Sequence, residues 1–243
     1  MRLRRSAAIA GASLLALAGA TGWKYPGYAR VTLMTMGLAE PRTVGGSIAE
    51  FGPAAQRVFG PACREAGIAW PPQRARLVAF KRERRLEVWV AGKRGAFTLA
   101  GAFDILAASG GPGPKRKDGD GQVPEGFYRL ATLDPNSRHH LSIKIDYPNA
   151  EDTAHRTVDR LGMGGDIFVQ GGESSAGSLA LGDGAIEEIF GLIAQVPGSG
   201  REIWIAPFDM RGGKLPKPAA ADPWVADLYS RLAESLKEEH SVK

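Results

Sequence analysis

One cysteine and four histidines are all the thiols and imidazoles that 243 residues provide. A lone Cys63 excludes an intramolecular disulfide, and a small apolar residue packed on a helix is favoured over a reactive thiol. His139, His140, His155 and His240 lack zinc-site spacing, and adjacent histidines on a strand point to opposite faces, so no metal or other cofactor is implied. The glycine-rich stretch Ser109 to Gly121 lacks the Gly-Lys-Ser/Thr ending of a phosphate-cradling loop. Gly172-Glu173-Ser174-Ser175-Ala176 ends in alanine where a nucleophile elbow wants a second glycine. Zinc-finger spacing, a basic helix and an aromatic-and-basic RNA motif are all missing. The formal charge of +5 falls to +2 without Arg2, Arg4 and Arg5, which leaves little ground for a nucleic-acid partner.

What is present suits a folded domain, since 44% hydrophobic and 23% charged residues can bury an ordinary core. Arg2, Arg4 and Arg5 precede an uncharged run from Ala7 to Ala20, the layout of an export signal. Residues 1–22 are therefore expected to be a signal peptide or an N-terminal membrane anchor, the protein's only link to a membrane. Ala18-Gly19-Ala20 suits cleavage before Thr21, whereas Thr21, Gly22 and Trp23 could lengthen the run towards the ~20 residues of a spanning helix. No cysteine follows it, which excludes a lipoprotein. Residues 23–46 are expected to be a Gly/Pro-punctuated tether, 47–74 a leading helical segment, 75–211 the main domain, and 212–243 a linker and C-terminal helix.

The spacing of Ile48, Phe51, Ala55, Val58 and Phe59 predicts a helix within Ser47 to Gly67 with Ser47 as its N-cap, and Pro71-Pro72 stops any helix beyond it. From Arg76 the period becomes two: Leu77, Val78 and Phe80; Leu86, Val88 and Val90; Phe97, Leu99 and Phe103 read as successive strands. Ala108 to Glu125 reads as a long loop, a feature that is often functional. Strands resume at Phe127–Leu133, Leu141–Ile145, Ile167–Val169 and Ile203–Ala206. A helix with an Ile186/Ile189/Phe190/Ile193 stripe lies between the last two. Asp222 as N-cap and Pro223 at the first helical position mark a final helix carrying Trp224, Leu228, Leu232 and Leu236. The pattern predicts a mainly β, α+β domain.

Several strings in order are far more specific than these periodicities. Gly113-Pro114-Lys115, Asp118-Gly119-Asp120-Gly121-Gln122-Val123-Pro124-Glu125-Gly126-Phe127-Tyr128, Asn136-Ser137-Arg138, His140-Leu141-Ser142 and Tyr147-Pro148-Asn149-Ala150 come first. Gly165-Asp166-Ile167-Phe168-Val169, Ala180-Leu181-Gly182-Asp183 and Pro223-Trp224 through Leu228-Tyr229 follow. Together they resemble the YafK-like branch of the L,D-transpeptidase (YkuD-like) family over roughly 75–236. The resemblance implies that family's fold, packed mixed β sheets with peripheral helices, and an association with peptidoglycan stem peptides in the periplasm or cell envelope.

In that family the active-site string is His-Gly, a short variable stretch, then Ser/Thr-x-Gly-Cys, and the cysteine attacks a stem-peptide carbonyl with the histidine's help. Here it reads Gln170-Gly171-Gly172-Glu173-Ser174-Ser175-Ala176-Gly177-Ser178. Gln170 and Ser178 stand at the base and nucleophile positions, while Gly171, Ser175 and Gly177 are retained. A serine hydroxyl needs a base, and a glutamine amide is not one, so a general-base contribution of ~10²–10⁴-fold is missing. The resemblance therefore implies a catalytically degenerate member. The alternatives are an active transpeptidase or crosslink amidase using Ser178, with His140 or Glu173 as base, and a non-enzymatic protein that binds another cell-wall enzyme or a lipoprotein. Backbone amides at Gly171 and Gly177 are expected to face a carbonyl oxygen, and Ser175, His140 and Tyr147 to line the substrate site. Lys115, Arg116 and Lys117 are expected either to meet peptide carboxylates or to form a solvated basic loop.

Overall fold

The computed structural model describes residues 26–159, 161–212 and 222–241. The signal or anchor expected over 1–22 lies outside them, as does much of the expected linker after residue 212. Among the described residues no helix is long and apolar enough to cross a membrane. The described part of the expected tether is not featureless: Pro26–Thr35 forms a helix, α1. Its Gly27 presses on the backbone of Arg138 and His140, and Tyr28 meets the His139 ring edge-on at 6.2 Å.

Helix α2 spans Val44–Glu65, starting earlier than the expected Ser47. Thr43 is the cap, its hydroxyl accepting from Gly46 N at 2.9 Å, while Ser47 is buried one turn inside and donates back to Thr43 O. Its last helical residue, Glu65, lies close to the expected end at Gly67. Gly67 turns left-handed at φ +67°, and the amides of Gly67 and Ile68 close on the carbonyls of Arg64 and Cys63.

Nine strands follow: β1 Arg74–Phe80, β2 Arg85–Ala91, β3 Thr98–Asp104, β4 Ala107–Ala108, β5 Gly126–Asp134, β6 Ser142–Ile145, β7 Phe168–Gln170, β8 Leu179–Ala180 and β9 Arg201–Ala206. They form one mixed sheet in the order β3-β2-β1-β9-β5-β6-β7-β8-β4. Only β1/β9 and β7/β8 are parallel pairs; the others are antiparallel. Three more helices flank it: α3 Ala150–Ala154, α4 Asp183–Ile193 and α5 Pro223–Ser241. The mixed β sheet with peripheral helices that the sequence strings implied is the architecture found.

Strand alternation builds two cores. Leu77 and Ala79 of β1 join Phe51, Ala55 and Phe59 of α2 and Ile186, Ile189 and Phe190 of α4 on one face. Val78 and Phe80 join Trp204 and the Val225, Leu228, Leu232 and Leu236 stripe of α5 on the other. Because both faces are covered, β1 and β2 are buried almost throughout, which is why they read as near-continuous apolar runs. Glu87 is the exception within β2, and its buried carboxylate takes Arg85, Arg211 and the Trp89 indole N–H.

Candidate active site and the loop that walls it

Residues 170–178 join β7 to β8, two parallel strands in the short arm of the sheet. Gln170 ends β7, and Ser178 immediately precedes β8. The register Val169↔Leu179 and Gln170↔Ala180 brings the two ends of the connection side by side. Both side chains are buried. Gln170 Nε2 donates to the Ser174 carbonyl at 3.2 Å, and Ser178 Oγ accepts the Phe168 amide at 3.1 Å. Among the described residues, that amide is the one group hydrogen-bonded to the Ser178 hydroxyl.

The rest of the connection is tied down as tightly. Ser175 Oγ donates to Ser178 O at 2.5 Å, bonds to Ser109 Oγ at 3.1 Å and accepts Ser109 N at 3.1 Å. Gly177 N, expected to face a carbonyl oxygen, donates to Ser109 Oγ at 2.7 Å. Gly171 N, its expected companion, donates to Leu141 O at 3.1 Å and belongs to the backbone pairing. Gly171 has a packing reason to be glycine: a methyl there would lie 2.4 Å from His139 O and 2.7 Å from Asp183 Oδ1. Asp183, the first residue of α4, accepts Gly172 N at 2.9 Å, which orients the start of the connection.

His140 and Tyr147 are not brought to this connection by any hydrogen bond. His140 is no strand residue: it sits in the turn before β6 at φ +70°. Its Nε2 lies 2.7 Å from Glu187 Oε1 on α4, and its ring meets Phe51 edge-on. Tyr147 is buried beneath the 108–125 loop, its hydroxyl 3.4 Å from the carbonyls of Lys115 and Met163. Glu173, the other conceivable base, is exposed.

The long loop between β4 and β5 is neither a carboxylate-binding patch nor a solvated basic stretch at Lys115. That side chain is buried, with Nζ 2.6 Å from Asp120 Oδ1 and 2.9 Å from Lys117 O. Burial pushes the Asp120 carboxyl up, but the Lys115 ammonium and the amides of Arg116, Gln122 and Lys117 outweigh it and hold it at about 2. Arg116 pairs with Asp222, donates to His155 O and lies over the Trp224 ring, which stacks on His155 at 4.5 Å. Only Lys117 of the three is exposed.

Further in, Glu125 is buried and takes Lys81 Nζ at 3.0 Å, Gly113 N at 2.9 Å and Tyr229 OH at 2.6 Å. Burial lowers the Lys81 pKa against the pull of Glu125. Next to it Tyr128 OH donates to Asp152 Oδ1 at 3.0 Å, and Asp152 caps α3 reciprocally with Asn149. Burial pushes the Asp152 carboxyl up to about 6, against the hydrogen bonds from Asn149 and Tyr128. The loop so held reaches the 170–178 connection, where Gln122 O would stand 3.3 Å from a methyl on Gly177. Ser109, Gln122 and Asp183 are thus site residues that sequence reasoning did not single out, although Ser109 opens the glycine-rich loop and Asp183 closes one of the quoted strings.

No protein-family profile matches the chain. The sequence is 34% identical over 142 residues to a protein named "Putative L,D-transpeptidase YafK" from Escherichia coli, a stretch that is 56% of this chain and 55% of that protein. The chain thus spans about half the length of the curated relatives it matches. Among solved structures, the helical cell shape determining protein Pgp2 from Campylobacter jejuni aligns at 21% identity with a TM-score of 0.43, covering 54% of this chain and 46% of that one. Bd1075 from Bdellovibrio bacteriovorus aligns at 16% identity with a TM-score of 0.41, covering 70% and 56%.

Proposed function

We propose that the chain is an L,D-transpeptidase-family protein of the cell envelope that associates with peptidoglycan stem peptides and has lost the family's thiol chemistry. The sequence likeness to YafK and the ordered strings support the family reading. The observation that carries the loss is the pairing of Ser178 Oγ with the Phe168 amide and of the Gln170 amide with Ser174 O. At the positions where the family keeps a nucleophile and its base, both side chains brace backbone. A serine accepting a hydrogen bond from an amide, with no imidazole or carboxylate to take its own proton, lacks the activation that acyl transfer requires.

The hydrogen bonds from Ser109, Ser175 and Asp183 that fix the backbone around that pair support a scaffold that holds a peptide without cleaving it. Export to the periplasm or envelope by residues 1–22, cleaved or retained, belongs to the same proposal. The experiment is mass spectrometry of muropeptides after incubating intact sacculi with the wild-type protein, with Ser178→Ala, and with Gln170→His/Ser178→Cys. Altered crosslinks with the double variant alone are the expected result. Altered crosslinks with the wild type, abolished in Ser178→Ala, would overturn the degenerate reading and make Ser178 a working nucleophile.

A further inference from the structure

Strands β6, β7 and β8 present one face to the buried core and the other to the active-site connection. Ile143, Val169 and Leu179 are buried on the core side. On the opposite side Lys144 pairs in register with Phe168, and Phe168 N is bonded to Ser178 Oγ, so Lys144, Phe168 and Ser178 lie in one row across three strands. Two strand spacings of about 4.8 Å each put the Lys144 and Ser178 backbones roughly 10 Å apart, a distance a few peptide bonds can cover.

The row is graded in exposure. Ser178 is buried, Phe168 is partly exposed, and the Lys144 side chain is 38% exposed with its ammonium 6.0 Å from the Phe168 ring centre. Lys144 Nζ pairs with Asp166 Oδ1 at 2.8 Å, but the Asp166 side chain is 84% exposed. An ion pair that open to water holds weakly and yields to a better-placed anion. Lys115 and Lys81 are by contrast buried and committed to internal carboxylates.

We propose that Lys144 is a specificity-determining residue that receives the terminal carboxylate of a bound peptide, displacing Asp166. The peptide's last side chain rests on the Phe168 ring, and its chain runs towards Ser178. This rests on the peptide-binding reading of the site and adds the chemical feature it selects, a free carboxylate. Asp166 then acts as an internal competitor that occupies Lys144 when no ligand is bound.

The test is titration calorimetry of the purified protein at low ionic strength with two synthetic probes, a stem tetrapeptide with a free terminal carboxylate and the same peptide amidated at its C-terminus. The wild type is expected to favour the acid by about fivefold, the scale of an exposed ion pair. Lys144→Gln is expected to erase that preference while leaving the amide's affinity unchanged, and Asp166→Asn to strengthen binding of the acid alone. Equal binding of both probes by the wild type overturns the Lys144 assignment and leaves the peptide-binding reading standing. Equal weakening of both probes by Lys144→Gln overturns it too, because that is the signature of a structural lysine. Failure of the wild type to bind either probe overturns the assignment and the peptide-binding reading together.

Discussion

At Gly171 the backbone runs so close to His139 O and the Asp183 carboxylate that no side chain fits without moving main chain. Gly171→Ala is expected to cost about 1–3 kcal/mol, the range for forcing extra atoms into a packed site, measured as a shift in the urea midpoint. Ser178 gives a second residue-scale expectation. Its hydroxyl is the acceptor for the Phe168 amide, so Ser178→Ala leaves a part-buried N–H without that partner at a cost of about 1 kcal/mol. Ser178→Thr, which keeps the oxygen, is expected to lose less in the same assay. The string Gln170 to Ser178 stands out in the sequence because it keeps its glycines and Ser175. What each group does was not legible. Periodicity and motif say where a residue stands along the chain, but not that Ser109 Oγ, from a loop 68 residues away, meets Gly177 N.

The elements show the same division. The longer strands and the helices at 183–193 and 223–241 follow from apolar runs and stripes that survive without tertiary context, whereas the two-residue strands β4 and β8 carry no such signal. Helix ends were less legible, since Thr43 and Ser47 are both good caps and only packing decides between them. The long loop is legible as a loop, yet its composition leaves the lysine at 115 open to solvent or ligand. The side chain is instead held by Asp120 inside the same loop, a local pairing that composition hides. That loop is pinned from outside by α5, through Tyr229 to Glu125 and through Arg116 to Asp222. Tyr229→Phe keeps the ring and removes one donor from a buried carboxylate. It is expected to destabilise the protein by about 1–3 kcal/mol and to speed limited proteolysis within residues 108–125 while cleavage elsewhere is little changed.

Across the whole molecule, two carboxylates, the partly buried Asp120 and the buried Asp152, bias stability in opposite directions with pH. Asp120 lies below its ordinary value of 3.8, at about 2, so its contribution is present above pH 3.8 and is lost as pH falls from 3.8 towards 2. Asp152 lies above it, at about 6, so the folded state holds that proton more tightly than the unfolded chain does. Its contribution is full below pH 3.8 and declines as pH rises from 3.8 to about 6. Urea midpoints measured from pH 3.5 to 7 are expected to carry a downward component in that window, and Asp152→Asn is expected to remove it. Its persistence in the variant would mean that another group is responsible.

The parallel pairing of β1 with β9 has a mechanical consequence. The chain enters the sheet at β1 and its last strand is β9, hydrogen-bonded side by side from Ala75↔Arg201 to Phe80↔Ala206. Tension applied between the two ends pulls these neighbours along their length in opposite directions, which loads every rung of the pairing in shear at once. A chain held at one end and tugged at the other therefore resists at its centre, and the short strands β4, β7 and β8 that frame the active-site connection stay outside the line of force.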